Sequence, residues 1–119
     1  MLDIRKERCL YILQSLEAIQ IYMQPIASAS DFLNPKMGSL HLDAVTLHLQ
    51  VIGENAKQIE AVYPSFFADE LNYDAGPVIR LRDFISHHYE KRDFEIIYDI
   101  CVRKLPAFQT AIESYLNKK

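Results

Sequence analysis

Residues 39–62 read SLHLDAVTLHLQVIGENAKQIEAV, and within them Val45, Leu49, Ile52, Ala56 and Ile59 recur at alternating steps of three and four. An α-helix turns once in 3.6 residues, so this spacing gathers all five on one buried stripe. Ser39 is a suitable N-cap, because its hydroxyl can accept from an otherwise unpaired backbone N–H. Pro64 closes the segment. Gly53 lies inside it, where glycine costs about 1 kcal/mol against alanine. Its presence predicts close approach by a neighbouring helix.

The same period appears on either side. From Leu2 to about Met23, Cys9, Ile12, Leu16, Ile19 and Met23 form an apolar stripe, widened by Leu10, Leu13 and Ile21. Pro25, the SASD run, Asn34-Pro35 and Gly38 break the chain before the second helix. The two long helices are expected to pair antiparallel. After Pro64 comes a connector, FFADELNYDAG. Gly76-Pro77 then starts a third helix, since proline in the first turn loses only an N–H that had no partner. Val78, Leu81 and Ile85 line its inner side, with Phe84 beside them. Asp93 can cap a fourth helix burying Phe94, Ile97, Ile100 and Cys101. Leu105-Pro106 breaks and restarts the chain as a fifth, with Phe108, Ile112, Tyr115 and Leu116 inward. No window alternates as a strand does. The expectation is an all-α bundle of four to five helices, two of them long and antiparallel.

Composition agrees with one domain spanning 1–119. Half of the 119 residues are hydrophobic and 24% are charged, a globular balance that excludes a disordered tail. Three glycines and five prolines are too few for a sandwich or barrel of short strands. No apolar run could span a bilayer and MLDIRKERCL has no signal-peptide core, so the cytoplasm is the expected compartment, with no membrane partner. Cys9 and Cys101 form no C-x-x-C and are expected as free thiols. The net charge of −3 argues against a DNA-coating role. Residues 1–79 carry 5 Lys+Arg against 10 Asp+Glu, and residues 80–119 carry 8 against 6, so the positive field lies in the second half.

The densest polar cluster is RLRDFISHHYEKRD at 80–93. At roughly 100° per residue, Arg82, Ser86 and Tyr89 fall on one stripe, and His87 shares a side with Asp83 at i, i+4. An arbitrary helix with such residues presents a solvated face. This one holds Arg, His and Tyr within two turns, with His87 and His88 adjacent where the helical pattern fades. A metal site is disfavoured: His41 and His48 stand two turns apart, about 10 Å, and no Glu-x-x-His step is present. Catalysis by either cysteine is disfavoured as well, since both sit on apolar stripes.

RDFISHHY, with Arg82, four residues, His87, one residue and Tyr89, resembles the Arg-x4-His-x-Tyr signature of HepT-like proteins, small α-helical ribonucleases of the HEPN superfamily. LHLQVIGENAKQIE at 47–60 is similar to the family's Ile-Gly-Glu helix, here Ile52, Gly53 and Glu54. DFEIIYDICVRKLPAF at 93–108 is similar to its Asp-to-Leu-Pro closing segment. Asp83 follows the arginine where relatives often carry Asn, and the connector lacks the Trp many relatives have. Arg80 with His87 and Arg82 with His88 fit looser spacings, but only Arg82 with His87 leaves Tyr89 in register.

The resemblance implies a HEPN-type bundle acting as an endoribonuclease toxin without a metal or other cofactor, on RNA rather than DNA. Arg82 and His87 are then the catalytic residues, supported by Asp83, Ser86 and His88. Histidine can give or take a proton near neutral pH, and the arginine fork suits phosphate oxygens. RNA cleavage wants a base, an acid and a cation, and a homodimer with the third helices facing across its axis supplies two of each. The resemblance further implies an antitoxin partner, a minimal nucleotidyltransferase of the MntA type, which AMPylates the motif tyrosine, here Tyr89. Two alternatives share the helices: a catalytically silent module that binds the nucleotidyltransferase, and a nucleotide-binding bundle using the same cleft.

Overall fold

A computed structural model describes residues 3–88 and 93–118, with His88 described by its backbone alone. The chain forms the expected all-α bundle, and no strand occurs among the described residues. Helix α1 spans Ile4–Met23 and α2 spans Gly38–Val62. Their contacts fix the direction. Arg8 Nη1 donates to Asn55 Oδ1 at 3.1 Å, Ser15 Oγ meets His48 Nδ1 at 3.2 Å, and the Tyr22 ring lies 6.4 Å from that of His41. Each step of seven up α1 is a step of seven down α2, so the helices are antiparallel and in register for two turns at a time. Asp3 caps α1 by accepting the Arg5 N–H at 2.9 Å.

The predicted stripes supply most of the core, while Met23, Phe94, Cys101, Tyr115 and Leu116, expected inward, are only partly buried against it. Cys9, Ile12, Leu16 and Ile19 of α1 and Val45, Leu49, Ile52, Ala56 and Ile59 of α2 are all buried. The widening residues are not uniformly inside: Leu10 and Ile21 face outward, because α1 packs on one side only. Helix α2 starts at Gly38 rather than at a Ser39 cap. A Cβ on Gly38 would run into the backbone carbonyls of Asp31 and Phe32, which belong to a 3-10 turn over Ala29–Leu33.

The connector holds more structure than its composition indicated. Phe66–Glu70 forms a short helix, α3, which buries Phe66 and Phe67. The expected third helix comes in two pieces, α4 over Gly76–Ile79 and α5 over Leu81–His88, with Arg80 between them. The expected fourth and fifth helices instead run together. Helix α6, Phe94–Asp99, passes through a π-helical turn at Ile100–Lys104 into α7, Leu105–Leu116. Pro106 has no N–H and its ring would crowd the carbonyl four residues back, so a widened turn accommodates it without stopping the helix. Ile97, Ile100, Leu105, Phe108 and Ile112 close the core from this side.

Candidate functional site on the fifth helix

Helix α5 is set against α2 at Gly53. A Cβ there would lie 2.9 Å from the Arg82 backbone nitrogen and 3.2 Å from the Val78 carbonyl oxygen. Any side chain would push the two helices apart, so the close approach predicted from the sequence is present, and it fixes the backbone of Arg82 itself. One residue further on, Glu54 reaches the same arginine. Arg82 Nε lies 3.1 Å from Glu54 Oε2, while Gln58 Nε2 donates to Glu54 Oε1 at 3.1 Å. The Oε2 atom is buried and takes no aligned hydrogen bond, so the contact with Arg82 is an ion pair by distance alone. Both side chains are about half exposed, at 52% and 41%. Such a pair contributes at most about 1 kcal/mol to stability. Its consequence is positional, since it orients the guanidinium along α2.

The remaining motif residues separate around α5. Ser86 is on the Arg82 side, and its hydroxyl donates back to the Arg82 carbonyl at 2.9 Å. His87 is exposed and, five residues from Arg82, lies about 140° round the helix. Asp83, also exposed, shares the His87 side at i, i+4. No hydrogen bond or ion pair joins His87 to Arg82 or to Asp83 among the described residues. One chain thus presents its arginine and its histidine to solvent on different faces. Of His88 only the helical backbone is described, and Tyr89 lies outside the described residues. Glu54 as the partner of Arg82 was not foreseen. The signal available was its position directly after a mid-helix glycine.

The competing chemistry finds other uses. His48 meets Ser15 and stacks on Tyr22 with ring centroids 5.9 Å apart, and Tyr22 sits edge-on to His41. These two histidines are part of the α1–α2 seam. No group of three or more His, Cys, Asp or Glu that could hold a metal occurs among the described residues. Burial pushes both the Cys9 and the Cys101 thiols up to about 12, which keeps them protonated and poor nucleophiles. No described helix is long and apolar enough to cross a membrane.

An all-helical bundle whose α2 carries Gly53-Glu54 against an arginine–histidine helix defines a class of small HEPN-type domains. The chain matches the family described as Ribonuclease HepT-like over residues 12–115, and it belongs to that family. It is 36% identical over 77 residues to a relative named "Putative RNase MJ0127" from Methanocaldococcus jannaschii, an alignment covering 62% of this chain and 59% of that protein. The chain therefore matches less than two thirds of that relative's length. No solved structure matches it.

Proposed function

We propose that the protein is a metal-independent endoribonuclease toxin that cleaves RNA at a site shared by two subunits. The observation that carries this reading is the exposed Arg82/His87 pair on α5, in a chain of the HepT-like ribonuclease family. His87 takes the proton of a ribose 2′-hydroxyl, whose oxygen attacks the adjacent phosphorus. The partner's His87 protonates the departing 5′-oxygen, and the two Arg82 guanidiniums hold the charge on the phosphorane. The products are a 2′,3′-cyclic phosphate and a 5′-hydroxyl.

Two features support a shared site. Arg82 and His87 leave α5 about 140° apart, an arrangement in which two copies facing each other supply both groups to one phosphate from opposite sides. Leu40 and Leu47 are 65% and 58% exposed, and with Glu54 they stand at seven-residue steps on α2. That apolar stripe runs into the Glu54–Arg82 pair and is a surface suited to self-association. Leu47→Asp is expected to shift a dimer toward monomer. A stable monomer of the unaltered chain at micromolar concentration, with cleavage retained, would refute the shared site.

The toxin is neutralised, in this reading, by an MntA-type nucleotidyltransferase that transfers AMP from ATP to Tyr89, placing negative charge and bulk near Arg82 and His87. The test of the activity is incubation of purified protein with single-stranded RNA in excess EDTA. Cyclic-phosphate products by mass spectrometry are expected. Intact RNA, or cleavage that needs added divalent metal, would overturn the proposal.

A further inference from the structure

Between α4–α5 and the α6–α7 helix lies a cavity of about 520 Å³, within the ~300–1,000 Å³ range of small-ligand pockets. Its walls are apolar, from Val78, Leu81 and Phe84 on one side and Ile96, Ile100 and Leu105 on the other. Ile96 is 43% exposed there, an isoleucine left open to water. The remaining lining includes Arg80, Arg103 and Lys104, and no carboxylate among the described residues. Arg103 is held by Asp99 at 3.2 Å. Arg80 and Lys104 make no ion pair with any described residue. An apolar chamber with two cations that make no ion pair among the described residues suits a ligand that joins a flat, weakly polar body to an anionic group.

The cavity also adjoins the face that carries His87. Arg80 has right-handed helical geometry, and its carbonyl accepts the Phe84 N–H at 2.9 Å, so the α5 register already holds at Arg80. Seven residues at ~100° each return His87 to within about 20° of Arg80, some 10.5 Å along the axis. Arg80, Phe84 and His87 therefore form one line from the cavity to the proposed base. That length spans between one and two nucleotides of an extended strand.

We propose that this cavity is a nucleotide subsite for single-stranded RNA. It takes the base and ribose of a residue flanking the scissile bond and sets that residue's phosphate on Arg80 and Lys104. The proposal rests on the ribonuclease reading, and it concerns how the strand is held rather than how it is cut.

The test uses the full chain with His87→Ala, so that RNA survives the titration. Methyl resonances of Ile96, Ile100 and Leu105 are followed while an eight-nucleotide single-stranded RNA, 5′-AMP or inorganic phosphate is added. RNA should move these methyls and saturate, AMP should move them more weakly, and phosphate alone should not saturate at ten times the AMP concentration. Lys104→Glu, an exposed change, should weaken RNA binding at least tenfold with helicity unchanged. Ala107→Trp, which fills the cavity mouth, should abolish the methyl shifts. Unmoved methyls while RNA binds, or RNA affinity unchanged by Lys104→Glu, would overturn the subsite. So would binding of AMP without binding of RNA, which would make it a free-nucleotide site. Cleavage by the unaltered chain, measured separately, distinguishes each of these failures from failure of the ribonuclease reading.

Discussion

Arg82 is held twice by α2: its backbone nitrogen packs on Gly53, and its guanidinium lies 3.1 Å from Glu54. The first contact sets where α5 crosses α2, and the second sets where the charge points. The pair is half exposed, so its removal should barely alter stability. Glu54→Ala should change unfolding free energy by no more than about 1 kcal/mol. It should nevertheless slow RNA cleavage severalfold, with Glu54→Gln closer to the unaltered protein because it keeps an acceptor oxygen. Combined with Arg82→Ala, Glu54→Ala should add nothing further. Additive losses would show that Glu54 acts independently of the arginine.

Gly53→Ala tests the crossing itself. Alanine gains about 1 kcal/mol of helix propensity at an interior position. Here its Cβ would lie 2.9 Å from a backbone nitrogen, which cannot rotate away. Overpacking of this kind costs about 1–3 kcal/mol, so the melting temperature should fall. A rise in thermal melting followed by circular dichroism would mean that α5 can shift freely over α2.

Cys9 should resist alkylation in the folded protein at pH 8, reacting only as denaturant unfolds it, while Cys101, which is partly exposed, should react more slowly than a free thiol. Their folded pKa, about 12, stands above the ordinary value of 9.0 because burial disfavours the thiolate. The unfolded chain then loses protons that the folded chain keeps, so stability should fall as pH rises from 9 toward 12. Stoichiometric labelling of Cys9 at pH 8 without unfolding would contradict its burial.

The long helices were legible because their apolar residues repeat without interruption, and the stripe from Val45 to Ile59 is buried in full. The segmentation was less legible, for reasons that are tertiary. Phe66 and Phe67 sit in what reads as a connector, and their burial draws five residues into a helix. Leu105-Pro106 carries a stop signal that a π turn overrides. In the site, the arginine–histidine spacing could be read, but the divergence of Arg82 and His87 needed a helix continuous through both. The role of Glu54 needed the crossing at Gly53.

Tyr89 is the proposed site of antitoxin control. Tyr89→Phe should keep the fold and much of the RNase activity yet escape neutralisation. Intact mass after co-expression with a neighbouring minimal nucleotidyltransferase should show whole AMP units on the unaltered chain and none on Tyr89→Phe. The same gain on both proteins would place the modification elsewhere.

The most direct measurement is the single-turnover rate of RNA cleavage by His87→Ala, with His88→Ala and Arg82→Ala beside it, all in EDTA and all checked for helicity and melting. The account predicts cleavage abolished in His87→Ala and a milder loss in His88→Ala. Arg82→Ala should lose about 2.7–4 kcal/mol of transition-state stabilisation, by analogy with the removal of an oxyanion donor. Cleavage that persists in His87→Ala while His88→Ala is dead would contradict the chosen register. Cleavage that survives all three substitutions would contradict the site.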